Sequence, residues 1–451
     1  MIKLAHLSDS HLGYEAYPAL SPRGNNQRGE DVARALLGVV VDIEAYDADL
    51  VIHAGDLGEK PVINVRYMLL AQSLFKRLTK RADGARRPVI LIAGNHDLPR
   101  SRKEACWLDL LGQLPDVYVV CHSYSVIDLG SKGYGPQFDN VMVHTLPHDT
   151  LKEVDFDLVR PIAGKRNILT SHGTAAGSDL FKRGLGREFA IPVDVLGREW
   201  EYVALGHYHK RGPVSLGGAS DNRIWYCGSA ENISFRDLRE NGTERGYLQV
   251  ELGDALKVTP VNLPLRRMLR LPVIEAAGMA PADIEAALVA RVEKGDVESA
   301  VVGQVVEGIS RDVWSLVDTQ KARVAAKSAL HYEITPNYVK SEDRGDAVTR
   351  ELGDLSTLLD AEIAHSVPGE LRQRVTLLAR HLLGSALNTP EEVEAEAFVE
   401  GVLEDDSRSE PGLMGGEPTA SVSDTPESVP LKKTRAKKAS AKKTTSARDV
   451  S

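Results

Sequence analysis

The sequence has little cysteine: three residues in 451, Cys106, Cys121 and Cys227, widely spaced and with no CxxC pair. That argues against a disulfide framework and makes a reducing cytoplasm the expected setting. Long hydrophobic runs are missing as well. No stretch approaches the roughly 18 apolar residues of a membrane span, so no membrane association is expected. The short apolar run at the N-terminus breaks at Asp9, which is not how a signal peptide reads. Basic charge is in deficit: the formal net charge is −9. A nucleic-acid partner would have to be met by local basic patches. What is present is 42% hydrophobic and 26% charged residues, over a length that suggests two or three domains.

From residue 1 to 265, short apolar runs alternate with helical patterns. The runs are Ile2–Leu7, Leu50–His53, Pro88–Ala93, Asn167–Thr170 and Glu201–Leu205, each rich in Val, Ile and Leu and bounded by Gly, Asp or Asn. Strands buried on both faces read this way. Gly29–Tyr46 is a helix candidate, and Arg223–Cys227 and Gly246–Leu252 read as hairpin segments. The expected class is therefore α/β, with helices around packed sheets. Residues 266–340 read as a second, smaller α+β domain, with a helix from Pro281 to Val292 and a strand at Ala300–Val306.

Residues 346–388 carry two helical stripes, Val348, Leu352, Leu355, Leu359, Ile363 and Leu371, Val375, Leu378, Leu382, separated at Ser366–Gly369. This helix pair either packs on the body of the protein or docks on the helices of a partner. Residues 390–451 lose order signals and are expected to be disordered. Glu391–Glu427 is acidic, and Lys432–Arg448 is a basic Ala/Ser/Thr-rich tail that either contacts DNA phosphates or is simply solvated.

Chemistry-bearing residues follow the strand candidates one by one. Asp9 and His11 follow the first in SDSH, Asp56 the second in HAGD, and Asn95, His96 and Asp97 the third in AGNHD; His172 follows the fourth in TSHG, and His207 and His209 the fifth in LGHYH. Taken singly, each motif could be a turn or an ordinary surface histidine. Taken together, they put a metal-capable side chain at the carboxyl end of five buried strands, where ligand crevices form in α/β sheets. Carboxylate, imidazole and amide oxygen without thiolate suit manganese, iron or zinc. The donors exceed the needs of one ion and match two, about 3.5–4 Å apart and sharing a carboxylate. His53, inside the second strand, reads as a packed core histidine, and His144 and His148 have no assigned role. Arg81, Arg86 and Arg87, and with more weight Arg100, Arg102 and Lys103 just after GNHD, are candidate phosphate contacts; basic loops are also ordinary solvated surface.

The order D-x-H, G-D, G-N-H-D, H, G-H-x-H resembles the calcineurin-like metallophosphoesterase superfamily. The resemblance implies two packed mixed β-sheets flanked by helices and two divalent ions, with manganese expected. Asp9, His11, Asp56 and His209 would hold one ion, and Asp56, Asn95, His172 and His207 the other. His96 would act catalytically beside the scissile phosphate without binding metal. LGHYHK, IWYCGSAENISFRD and RGYLQVEL, with HLSDSHLG and Arg28 near the start, are more narrowly similar to the SbcD family of DNA-repair nuclease subunits. That similarity implies a DNA exonuclease or endonuclease working with an SMC-like, SbcC-type ATPase. It also implies a homodimer, a DNA-binding capping domain at 266–340 and an ATPase-binding segment at 346–388. One departure stands out: Gly58 and Glu59 follow Gly55-Asp56-Leu57, where the family usually has an aromatic residue and then an acid or histidine. Glu59 cannot supply a histidine's positive charge. Two other readings are a stand-alone phosphoesterase for a nucleotide or other small phosphoester, and a non-enzymatic scaffold. The extra domain and helix pair favour the nuclease, and the intact ligand set disfavours the scaffold.

Overall fold

The computed structural model describes residues 1–99, 101, 104–176, 189–216, 219–235 and 245–339, with 363, 372, 375, 376 and 379 beyond them. Met1–Lys340 form one compact unit and Ser341–Ser451 a second. The five described residues of the second unit are all helical; the remainder of the expected helix pair, and the tail, lie outside the described residues. No helix among the described residues is long and apolar enough to cross a membrane.

The first unit starts with strand β1 (Ile2–Leu7), helix α1 (Gln27–Tyr46), β2 (Leu50–His53), α2 (Val65–Leu78) and β3 (Val89–Ile92). β4 (Val117–Val120), β5 (Ser125–Asp128), β6 (Val141–Leu146), β7 (Arg166–His172), β8 (Thr174–Ala175) and β9 (Ala190–Ile191) follow. A short helix α3 (Val193–Leu196) leads into β10 (Tyr202–Gly206), β11 (Gly212–Leu216), β12 (Ala219–Tyr226), β13 (Gly246–Leu252) and β14 (Leu256–Asn262).

These strands build two six-stranded sheets, ordered β14-β13-β1-β2-β3-β4 and β11-β12-β10-β7-β6-β5. Both are mixed: β1, β2, β3 and β4 run parallel beside an antiparallel β13, and β6, β7, β10 and β12 run parallel between antiparallel β5 and β11. The two-sheet α/β architecture expected from the sequence is the one found. Side-chain alternation explains why the strands read as continuous apolar runs. In β7 and β10, Ile168, Tyr202 and Ala204 join the core shared with the first sheet, while Leu169, Val203 and Leu205 enter a second core with Leu146, Trp200 and Tyr226.

Helix α1 starts at Asn26, whose side chain accepts a hydrogen bond from the Gly29 N–H, and stops at Asp47 in the left-handed region. Its buried stripe of Leu36, Val39, Val40 and Ile43 packs into the same core as β1 and β2. A third sheet follows, with β15 (Met268–Arg270), β16 (Ile274–Glu275), α4 (Pro281–Lys294), β17 (Val301–Ile309) and β18 (His331–Tyr338). β17 pairs in parallel with β15, β16 and β18. Ile284, Leu288 and Val292 of α4 pack with Val302 and Val306 in a core of their own.

Candidate metal centre

The carboxyl ends of β1, β2 and β3 in one sheet and of β7 and β10 in the other meet at one place. Asp9, His11 and His209 bring ligand atoms within 4.8 Å of one another, as do Asp9, Asp56 and His172, and also His11, Glu59 and His96. Asp56 Oδ2 is 3.2 Å from His172 Nε2 and 4.0 Å from His11 Nε2, so it reaches toward both groups. Asn95 Oδ1 lies 3.2 Å from both His172 Nε2 and His207 Nδ1. His11 Nε2 and His209 Nε2 are 3.0 Å apart. All seven expected ligands and His96 are thus in one cluster. Arg100, Arg102 and Lys103 lie outside the described residues.

The local backbone is strained where the candidate ligands sit. Among the described residues eight non-glycines have positive φ, and four of them are Asp9 (49°), His11 (49°), Asp56 (54°) and His207 (103°). Asp and His tolerate this region better than bulkier residues, and such strain gathers at functional sites. The glycines of G-D and G-N-H-D have a steric cause. A Cβ on Gly94 would stand 2.2 Å from Asp56 Oδ1, and one on Gly55 2.3 Å from His172 Nδ1. Each glycine lets one loop pass another loop's ligand without a clash.

Hydrogen bonds fix the imidazoles. His172 Nδ1–H donates to the Ala54 carbonyl at 2.8 Å, His11 Nδ1–H to Glu59 Oε2 at 2.8 Å, and His96 Nδ1–H to the Glu59 carbonyl at 2.8 Å. In each ring Nε2 is left as the atom turned to chemistry, the tautomer control that outer-shell partners give to metal-binding histidines. Glu59, visible in the sequence only as a departure from the family pattern, therefore positions both His11 and His96. Asp97 is buried and is no member of the ligand clusters. Its carboxylate accepts from Gly58 N at 2.8 Å, Gly94 N at 2.9 Å and Leu57 N at 3.3 Å, clasping the Asp56 loop to the Asn95 loop. The His96 N–H adds a second tie, donating to Asp56 Oδ1 at 2.8 Å.

The electrostatics are those of a dense, buried cluster. Burial and the neighbouring Asp56 push the Asp97 carboxyl up to about 7, against the pull of its N–H donors. Burial also opposes the charge on Asp56, but the imidazoles of His172, His11 and His96 outweigh it and hold the carboxyl well below its ordinary range. For His172, burial acts downward while Asp56 and Asp9 push its pKa up to about 9. This set of buried and half-buried imidazoles and carboxylates, with no sulfur donor among them, fits hard to borderline divalent cations.

The other histidines are placed as follows. His53 is buried, hydrogen-bonded to Ser10 Oγ at 2.9 Å, and lowered by burial to about 3, as a core histidine should be. His144 is held in the core by Asn167 and Tyr124. His148 stands at the rim, its ring 6.0 Å from those of His172 and His207.

The basic run before β3 is not a free phosphate-binding patch. Arg81 pairs with Asp47 and Asp49, Arg86 with Asp116, and Arg87 is buried against the Ala48 and Leu78 carbonyls. Hydrogen bonding from Arg81 holds the Asp47 carboxyl down to about 2. Its contribution to stability is present above the ordinary carboxylate pKa near 4 and is lost as pH falls through about 2. Arg81→Ala should move acid unfolding, followed by circular dichroism, to higher pH; coincident transitions would contradict this pairing.

Gly58 has its own explanation. A Cβ there would lie 3.0 Å from the Trp107 ring, so the indole occupies the space beside residue 58. Gly58→Phe should destabilise by about 1–3 kcal/mol through overpacking. Combined with Trp107→Ala, it should cost less than the sum of the two single changes in urea unfolding; additive costs would show that the two positions do not share that space.

Comparison with known proteins points the same way: residues 2–213 match the family model for calcineurin-like phosphoesterases, and the two mixed sheets flanked by helices are consistent with a metallophosphoesterase fold. More particularly, the chain is similar to archaeal proteins named DNA double-strand break repair protein Mre11. That of Haloferax volcanii is 28% identical over 434 residues, 94% of this chain and 84% of the relative. That of Methanocaldococcus jannaschii is 23% identical over 381 residues, 81% and 91%. That of Aeropyrum pernix is 28% identical over 283 residues, 60% and 64%.

Proposed function

We propose that this chain is a metal-dependent phosphodiesterase acting on DNA, a nuclease of double-strand-break repair of the SbcD and Mre11 type. The convergence of seven donors on one edge of two sheets carries the reading, and the names of its relatives support it. Asp9, His11, Asp56 and His209 would hold one cation and Asp56, Asn95, His172 and His207 a second, with manganese the expected metal. When bound, two cations supply Lewis acidity, both for activating water and for offsetting charge on a phosphoryl group.

The chain's own residues do the rest. Glu59 fixes His96 through Nδ1, leaving Nε2 to hold or deliver a proton at the leaving oxygen. Asp97 keeps His96 and Asp56 in register by tying their loops together. Residues 1–265 form the catalytic domain in this reading and 266–340 a DNA-binding cap. Residues 346–388 bind an SMC-like ATPase, and Arg100, Arg102 and Lys103 meet phosphates beside the site. The setting is the cytoplasm.

Homodimerisation is part of the same proposal. Val65 and Leu69 are 63 and 61% exposed on one face of α2 at i, i+4 spacing, and Val62, just before the helix, is 79% exposed. Val65→Glu with Leu69→Glu should convert a dimer to a monomer in analytical ultracentrifugation; an unchanged mass would move the interface elsewhere.

The test of function uses full-length protein, manganese and end-labelled hairpin or single-stranded DNA, beside the Asn95→Ala/His96→Ala double variant. Cleavage by the wild type alone supports the reading. Hydrolysis of a bis-aryl phosphodiester without DNA cleavage, even with the ATPase present, would favour a small-molecule phosphoesterase instead. Inactivity on both substrates would overturn the enzymatic claim.

A further inference from the structure

A chain of buried charges runs from the candidate metal centre to the third sheet. It starts at the backbone carbonyl of His209, which accepts from Arg245 Nη1 at 3.2 Å and from Ser229 N at 3.4 Å. Arg245 Nε donates to Asn232 Oδ1 at 2.8 Å, and the Asn232 carbonyl accepts from Arg28 Nη2. Arg28 Nη1 donates to Asp31 Oδ2 at 3.0 Å. Asp31 also accepts both Nε and Nη2 of Arg266, the latter at 2.8 Å. Arg266 Nη1 then reaches the Ser299 carbonyl at 2.7 Å, in the turn that leads into β17. Glu231 lies 3.6 Å from Arg28 Nη2 and adds a second carboxylate. A separate contact ends nearby: the Tyr17 ring stacks on His331 at the start of β18, centroids 3.9 Å apart, and the His331 N–H donates to the carbonyl of Ala300, next to Ser299.

Stability alone does not account for this arrangement. Arg28, Asp31, Glu231, Asn232 and Arg245 are all no more than 3% exposed. Burying charge is costly, and apolar residues of similar volume often serve stability as well or better. What directional, charged hydrogen bonds provide is geometry. Here every link passes a position from one element to the next: cap turn, α1, the 228–233 loop, and the backbone that carries a ligand imidazole.

We propose that Arg266, Asp31, Arg28 and Arg245 are positioning residues that make the placement of His209 depend on the seating of the third sheet against α1. The functional consequence rests on the metal-centre reading above. A load on the third sheet, such as a polyanion bound across it, would reach the candidate site through this chain.

The test uses the full chain as Arg266→Ala, Arg266→Lys and Asp31→Asn. Metal-free protein is followed by hydrogen exchange, and manganese binding by calorimetry. Arg266→Ala should raise exchange by about 10-fold at 228–233 and around 207–211, not only beside residue 299. It should also weaken manganese binding by about 5-fold. Arg266→Lys, which keeps the charge and one donor, should recover part of both. Should Arg266→Ala fail to fold, Asp31→Asn should give the same pattern at smaller amplitude. Faster exchange confined to 264–268 and 296–301, with manganese binding intact, would overturn the proposal. A wild type that binds no manganese would instead sink the metal reading, while the exchange pattern still decides the relay.

Discussion

Asp56→Ala is expected to lower manganese-dependent phosphodiester hydrolysis by about 1000-fold, the loss of several kcal/mol of charge stabilisation. Asp56 reaches both halves of the cluster, 3.2 Å from His172 Nε2 and 4.0 Å from His11 Nε2, and Asp9 stands in both as well. Its removal also leaves the His96 N–H without its acceptor, so alanine alone would confuse charge with loop position. Asp56→Asn separates the two. The amide oxygen can still accept from His96 N, and the loop stays tied by Asp97, but the charge is gone. Both variants should therefore lose hydrolysis and bind fewer manganese ions, with the asparagine variant unfolding close to wild type in the absence of metal. Hydrolysis retained by Asp56→Asn would show that this carboxylate is not a shared ligand.

His96→Ala should behave differently. Turnover falls by about 10²–10⁴-fold, the usual effect of losing a positioned acid or base, while manganese stoichiometry stays as in the wild type. The decisive contrast is the leaving group. A sugar oxygen of DNA leaves poorly and needs a proton, whereas a nitrophenolate does not. The loss should accordingly be large on DNA and small on a bis-nitrophenyl phosphodiester. Glu59 enters the same prediction: its carbonyl fixes His96 Nδ1 and its carboxylate fixes His11 Nδ1, so Glu59→Gln should weaken the site without emptying it. Equal loss on both substrates in His96→Ala would remove the proton-donor role and leave His96 as a binding group.

Much of the candidate site was legible because each candidate ligand is local to a strand end. Five apolar runs, each stopping at a polar motif, marked Asp9, His11, Asp56, Asn95, His172, His207 and His209, and the parallel register of β1, β2 and β3 and of β7 and β10 brings those ends together. The boundaries of α1 and β17 were also close, because their apolar patterns are long. The assignment of strands to sheets was not legible. Ile168 and Leu169 are equally apolar and equally buried, yet face different cores, and nothing in a run of Val, Ile and Leu says which face meets which sheet. Nor could the run announce that β13 would return to pair beside β1 from more than two hundred residues away.

Partner identity was hidden for the same reason. Arg81, Arg86 and Arg87 look like a basic patch in one dimension. Their acids, Asp47, Asp49 and Asp116, come from other turns of the chain. Glu59 gave a signal only by departing from a pattern, because its target His11 is 48 residues earlier. Asp97 stands beside the candidate ligands in GNHD, and only its three N–H partners, two of them some 40 residues away, show that it holds the turn.

The most direct test of the central claim is anomalous diffraction from crystals of the full chain soaked in manganese. The account predicts two peaks about 3.5–4 Å apart, flanking Asp56, one against His11 and His209 and the other against His172, His207 and Asn95. A single peak, or peaks away from these side chains, would contradict it.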